Sequence, residues 1–296
     1  LIGYLPLYPA YNSADVWAHP ERFQLKADGS PQAVHSNPGR PQTHQQRRGT
    51  TLFNWAEEER RGFPFWRDRI KFAGSRYTLL RLNQFRDFYQ YRAIPYGAED
   101  PGEGCWQDGP GNRLFEVLEQ TLRQPLQLIA DDYGIAPGAA ALPEGQTTWP
   151  SYGLRLLQAG FSDGPSSGQL PHQCAGHTCA CSSTTDSNTL LGWVWEADES
   201  SRQFALSYIG FPEGWSWGDG GPQSPFIRSC LRSLWQSAAT LVCVSAQDLC
   251  GFGADTRIND PQHPEKVWRF RLSPAAKDGI DGAFIRQLNE TFDRSD

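Results

Sequence analysis

The 296-residue chain carries a net charge of −6, 39% apolar residues, 22 Pro and 29 Gly. That is enough apolar material for one large domain or two ordinary ones. No run of about 18 apolar residues is present to span a membrane, and the acidic balance argues against a nucleic-acid partner.

Leu1 to Leu7 reads as a strand rather than a leader peptide, and the sequence has no Met even at position 1, so the chain is expected to be processed or truncated there. Ala27 to Thr50, rich in Pro, Gln, His and Arg without periodicity, reads as a loop insertion (27–50). Its basic run Gln45-Gln46-Arg47-Arg48 is taken as a solvated surface. Phe65 to Phe72 has a helical pattern, and Tyr77 to Leu82 follows as a strand. Gly97 to Gly111, rich in Gly, Asp and Glu, reads as a second insertion (97–111). Leu114 to Leu122 is helical, with Leu114, Val117, Leu118 and Leu122 at three-four spacing. Strands are expected at Leu126 to Ala130, Leu154 to Ala159, Cys179 to Ser183 and Thr240 to Ser245. Helices are expected at Ile227 to Ala239 and Asp281 to Phe292.

Strands alternating with helices imply an α/β fold with a parallel sheet. The strands end in polar residues: Asn83, Asp131, Asp186, Gln247 and Asp248. In a β/α barrel the carboxyl ends of the strands form the active face. Length alone does not decide between one domain and two.

Eleven Trp fit a carbohydrate cleft, where aromatic faces stack on sugars, and fit a loop-rich core equally well. Seven Cys, an odd count in a chain too large to need staples, point to reduced thiols in a cytoplasmic or plastid-like compartment. His172, Cys174, His177, Cys179 and Cys181 fall within ten residues, a density that suggests zinc. Their spacing matches no common site, and Cys179 and Cys181 would share one face of a strand. Buried thiols are the simpler reading, and no metal is assigned. The triplet Asn289-Glu290-Thr291 is a formal glycosylation sequon of a kind that arises by chance.

Four segments resemble the amylomaltases, the 4-α-glucanotransferases of glycoside hydrolase family 77. They are Ser13-Ala14-Asp15-Val16-Trp17-Ala18-His19-Pro20-Glu21 with Phe23-Gln24-Leu25 and Asp28-Gly29; Leu80-Arg81-Leu82-Asn83-Gln84-Phe85-Arg86; Leu128-Ile129-Ala130-Asp131-Asp132-Tyr133-Gly134; and Gln247-Asp248-Leu249-Cys250-Gly251-Phe252-Gly253, continuing through Arg257, Asn259, Pro261 and Trp268 to Arg271. A fifth, Ser183-Thr184-Thr185-Asp186-Ser187-Asn188-Thr189 with Gly192-Trp193, lines up with the family's Gly-Thr-His-Asp-Asn-Asp-Thr.

The resemblance implies a (β/α)8 barrel of which residues 1–296 are the C-terminal part, with the loop insertions at 27–50 and 97–111, supplying strands three to eight. The first two would be supplied by further residues or by another protein chain, unless the sheet has re-closed. It implies a retaining double displacement on α-glucan, needing no nucleotide, flavin, pyridoxal or other cofactor. A carboxylate attacks the anomeric carbon, and a second sugar's hydroxyl replaces it. Carried over, the nucleophile falls on Asn83, the acid/base on Asp131 and the stabilising third acid on Asp186. Arg81, Trp17, Gln247 and Asp248 are kept and implied to bind substrate.

Only Asp186 of the three acids matches. Asn83 is an amide, Gln84 stands for a His, and Asp131 is one methylene shorter than the family's Glu. Thr185 replaces a His, Asn188 an Asp, and Tyr4 the usual Asp of the preceding strand. The family's Pro-Pro-Asp-Tyr-Phe and Gln-x-Trp-Gly become Asn37-Pro38-Gly39-Arg40-Pro41 and Gln46-Arg47-Arg48-Gly49, without aromatic groups. Three readings follow: a pseudoenzyme kept as scaffold or subunit, a non-catalytic α-glucan binder, and an active 4-α-glucanotransferase.

Overall fold

The computed structural model describes residues 1–35, 50–98, 103–123, 126–131, 151–260, 263 and 267–294. Asn37 to Pro41, Gln45 to Gly49, Asp132 to Gly134 and Pro261 lie outside them. The chain divides into two compact units, Leu1–Gly153 and Leu154–Asp296.

The first unit runs β1 (Ile2–Leu5), α1 (Ala14–Ala18), β2 (Ala33–His35), α2 (Trp55–Arg60), α3 (Pro64–Gly74), β3 (Leu79–Leu82), β4 (Gln90–Pro95), β5 (Cys105–Asp108), α4 (Asn112–Leu122) and β6 (Leu128–Ala130); β7 (Ser151–Leu156) begins in it. Strands β1, β3, β6 and β7 pair in parallel, with Leu82 opposite Leu5 on one side and Ala130 on the other. Strand β3 alternates, burying Leu80 and Leu82 and leaving Leu79 and Arg81 half-buried, as a strand with one packed face must. Strand β6 is buried at every position, the pattern of a parallel strand covered on both faces.

Helix α4 buries Leu114 and Leu118 of the expected stripe together with Phe115, while Val117 and Leu122 are only half-buried against the core. Helix α3 starts with Pro64, whose missing N–H would be unpaired there in any case, and buries Phe65, Trp66 and Ile70. These side chains join an aromatic cluster in which Trp66 meets Phe88 edge-on at 5.0 Å and Phe53 lies 5.1 Å from both Phe23 and Phe65.

A second, antiparallel sheet was not expected. Strands β2 and β5 flank β4, with Ala33 opposite Pro95 and Tyr91 opposite Gln107. Both flanking strands fall inside the segments read as insertions. Three or four residues are too few to show a period, and pairing to β4 supplies what pattern could not. The strand expected at Leu154 to Ala159 is also corrected. β7 ends at Leu156, and Leu157 opens a helix that buries Leu157 and Phe161, four residues apart.

The second unit runs α5 (Leu157–Asp163), β8 (Thr178–Cys181), α6 (Leu190–Glu196), α7 (Glu199–Tyr208), α8 (Pro225–Trp235), β9 (Leu241–Cys243), α9 (Ala246–Cys250), α10 (Pro274–Asp278) and α11 (Gly282–Thr291). Strands β8 and β9 pair in parallel, Cys181 opposite Cys243. Helix α8 is capped by Ser224, whose hydroxyl accepts from the Ile227 amide, and it buries Phe226, Ile227, Cys230, Leu231 and Leu234. It stops at Trp235, one turn short of the expected Ala239. Helix α9 ends on Gly251 at φ 62°, where a Cβ would stand 2.1 Å from the Gly221 carbonyl oxygen, so only glycine fits. Among the described residues, no helix is long and apolar enough to cross a membrane.

Candidate active site

In the first unit, the ends of β1, β3 and β6 bring three expected residues together. Asn83 follows β3, half-buried, its amide donating to the Leu5 carbonyl at 3.1 Å. Asp131 follows β6, its amide donating to Leu82 O at 3.1 Å while its own carbonyl accepts from Phe85 N at 3.2 Å. The ladder therefore fixes Asn83 and Asp131 as neighbours at the carboxyl ends of adjacent strands.

Arg81 joins the same row. Its guanidinium donates to Asp131 Oδ2 and lies over the Tyr4 ring, 5.1 Å from the centroid. Tyr4 and Arg81 are register partners on β1 and β3. The ring thus stacks on a cation where the family's usual Asp would offer a charge. Asp131 is buried, with one oxygen committed to Arg81.

Behind this row lies a group that no sequence signal beyond Gln84 announced. Gln84 adopts a left-handed backbone, φ 52°, and its Nε2 lies 3.4 Å from His35 Nδ1. His35 Nε2 is 2.7 Å from Asp87 Oδ2, and Tyr8 OH donates to the same oxygen at 3.1 Å. A carboxylate only accepts, so His35 Nε2 donates to Asp87 Oδ2. The Tyr8 ring stacks on His35 at 4.6 Å. Burial, reinforced by Asp87, pushes the Tyr8 phenol well above its ordinary range. His35 closes a three-residue strand in a stretch without periodicity, so nothing in the sequence connected it with Gln84.

Trp17 is 85% exposed on α1. It rims a cleft of about 560 Å³ whose other walls include Tyr11, Asn12, Ser13, Pro20 and Leu25. An exposed indole beside a groove can stack on a sugar ring.

The remaining expected residues belong to the second unit. Asp186, half-buried beyond β8, accepts from Asn259 Nδ2 at 2.6 Å through Oδ1, and its carbonyl accepts from Arg257 at 3.3 Å. Arg257 also pairs with Asp260 at 3.3 Å. Asn259 thus orients the Asp186 carboxylate, and Arg257 holds its backbone.

Asp248 is fully buried. Its Oδ2 accepts from Ser182 at 2.7 Å and Ser183 at 2.6 Å, and its Oδ1 accepts from the Leu190 amide, the first residue of α6, at 2.7 Å. Burial raises its pKa, and the serine and Leu190 hydrogen bonds pull it back. This is the geometry of a tie between the end of β8 and the start of α6, and it fixes Ser182, Ser183 and the first residue of α6. Gln247 is likewise buried, its Nε2 donating to Thr256 O at 3.2 Å at the head of the segment that carries Arg257 and Asn259.

Of the five residues weighed for zinc, His172 bonds Tyr208 through Nδ1 at 3.0 Å, and the Cys174 thiol turns to Leu170 O at 3.8 Å. Cys179 and Cys181 share a face, 3.9 Å apart, with Cys243 as their neighbour.

Parallel strands interleaved with helices, with amide, carboxylate and guanidinium groups gathered at the strands' carboxyl ends, define an α/β protein of the class that holds its site on that face. The sequence profile of the 4-alpha-glucanotransferases of glycoside hydrolase family 77 matches residues 1–277, and the chain belongs to that family. It is 32% identical to 4-alpha-glucanotransferase of Thermus thermophilus, across 99% of this chain and 58% of that protein. It is 28% identical to the chloroplastic/amyloplastic 4-alpha-glucanotransferase of Arabidopsis thaliana, across 92% and 45% respectively. The solved amylomaltase from Streptococcus agalactiae in complex with acarbose superposes with a TM-score of 0.84 at 24% identity, covering 100% of this chain and 58% of that one. This shows the fold. The chain thus spans about half the length of the relatives it matches.

Proposed function

We propose that this family-77 chain is catalytically impaired and serves α-glucan metabolism as a scaffold or subunit. The carrying observation is Asn83, the amide standing where the resemblance puts the nucleophile. An amide nitrogen has its lone pair delocalised into the carbonyl, and the amide oxygen carries no net charge. Neither forms the glycosyl–enzyme bond that a retaining mechanism requires. Asp131 supports the same reading. It is one methylene shorter than the family's Glu, and Arg81 holds one of its oxygens, while a misplacement of about 1 Å can cost roughly 100-fold in rate.

The test is incubation of the full chain with maltotriose, followed by chromatography. The expected result is neither glucose nor longer oligomers above background. Transfer products that persist in Asn83→Ala would show both the impairment and the placement of the nucleophile to be wrong.

A second reading, a non-catalytic α-glucan binder, is favoured by Asp186. Asn259 holds this acid ready to accept sugar hydroxyls, and an amylomaltase of the same fold is known in complex with acarbose. A rise in Tm with millimolar maltoheptaose would support it, and an unchanged Tm would remove it.

On either reading we take residues 1–296 as part of one barrel-type domain. Six parallel strands are described, and closing an eight-stranded barrel takes two more, which we assign to further protein. The cytoplasmic or plastid setting expected from the cysteines fits a relative described as chloroplastic/amyloplastic.

A further inference from the structure

We propose that Cys179, Cys181 and Cys243 form a thiolate site for a soft, thiophilic cation, Cu⁺ or Zn²⁺. The three sulfurs lie within 4.8 Å of one another, with Cys179 3.6 Å from Cys243 and 3.9 Å from Cys181. A metal–sulfur bond of about 2.3 Å places sulfurs around one ion about 3.8 Å apart in a tetrahedral site and about 4.0 Å apart in a trigonal one. The cluster therefore has nearly the spacing of a filled site. A disulfide would need its sulfurs at about 2.05 Å, and none of the seven cysteines, all of them described, is disulfide-bonded.

The backbone builds the arrangement. Cys179 and Cys181 are two residues apart on β8 and so share a face. Cys243 on β9 is the register partner of Cys181, and Ser182 N donates to Cys243 O at 3.1 Å just beyond. Asp248 pins Ser182 and Ser183, holding the end of β8 in place. Ligands fixed by the sheet have little left to order when an ion arrives. Cys179 and Cys181 are buried and Cys243 is half-buried. Three sulfurs with no oxygen or imidazole among them select soft ions.

Coordination transfers no electrons. Each thiol that binds gives up its proton to solvent, up to three per ion, and Zn²⁺ would complete four-coordination with water. The ligand set differs from the one the sequence suggested, because His172 and Cys174 are engaged elsewhere and Cys243 lies more than sixty residues away along the chain.

The experiment uses the full chain, reduced and stripped with a chelator. Co²⁺, standing in for Zn²⁺, is titrated while the near-ultraviolet thiolate-to-metal band is followed. Cu⁺ is titrated in competition with bathocuproine disulfonate. One equivalent of either ion is expected, weakened at least about tenfold in Cys181→Ser and Cys243→Ser and unchanged in Cys174→Ser. The arm that saturates at one equivalent identifies the ion. X-ray absorption on the loaded wild-type protein, which needs no variant to fold, should count three sulfurs. Failure of both ions to bind, binding indifferent to Cys181→Ser, a Cys179–Cys243 disulfide formed in place of metal binding, or two or fewer sulfurs around the ion would each overturn the proposal.

Discussion

Glu58, on α2, is fully buried, and its closest guanidinium atom, Arg22 Nε, lies 3.7 Å from its carboxylate. Burial raises its pKa from 4.5 to about 7 against the pull of Arg22. The folded chain therefore keeps this proton up to about pH 7, whereas the unfolded chain releases it near 4.5. Between those values the folded state holds more protons than the unfolded one, so stability falls as pH rises through the window, by up to about 3 kcal/mol. Glu58→Gln should remove that slope and leave a flatter profile between pH 4.5 and about 7 in urea unfolding. A slope unchanged from wild type would show that Glu58 is not its source. Asp131 and Asp248 show the other use of a buried carboxylate. The first is held by a guanidinium, the second by two hydroxyls and an amide. Neither arrangement could be read from the residue letters, which looked equally like site acids in both places.

At the scale of elements, the first unit depends on an aromatic cluster drawn from α2, α3 and the segments beside them. Trp66 is buried and packs on Phe65 at 5.8 Å, Phe53 at 6.1 Å and Phe88 at 5.0 Å. Trp66→Ala should cost about 3–5 kcal/mol, measured from the urea midpoint at unchanged slope. A loss below about 1 kcal/mol would mean that the cluster re-packs around the gap. The elements visible in the sequence were those with a full period. In α4 the three-four spacing marks the helix and two of its buried residues, Leu114 and Leu118, and in α8 it marks the helix. In β3 and β6, short apolar runs between polar ends were enough. Strands β2 and β5 escaped because partners distant in sequence define them. Helix α5 was read as strand because Leu154 to Leu157 is equally apolar under either period. The site divides in the same way. Asn83 and Asp131 were legible as strand-end residues, whereas Asp186 lies in the loop beyond β8, and the His35–Asp87–Tyr8 group and the Asn259 grip on Asp186 exist only in three dimensions.

At the scale of the molecule, each unit holds its own apolar core, one built on aromatic rings and the other on α8 with the helices around it. Covalent cross-links add nothing to either, since all seven cysteines are outside disulfides. A strong reductant should therefore leave the Tm of the metal-free chain unchanged, in contrast to the loss a native disulfide would give. A fall in Tm on reduction would reveal a bridge formed in solution. The net charge of −6 is modest for 296 residues and leaves cohesion to these cores rather than to long-range attraction.

The left-handed turn at Gln84 carries a cost in stability. A side chain with a Cβ at that φ costs about 1 kcal/mol relative to glycine, and the 3.4 Å contact with His35 is a weak return on it. Selection for folding alone would favour a glycine at this turn. Gln84→Gly relieves that strain but frees the unfolded chain by about 0.4–1 kcal/mol, so the urea midpoint should rise by less than the equivalent of about 1 kcal/mol, and a fall would mean that the His35 contact and the unfolded-state entropy together outweigh the strain. A rise would show that this turn holds its side chain at a net cost to the folded state, set beside the His35–Asp87–Tyr8 group that the same side chain touches.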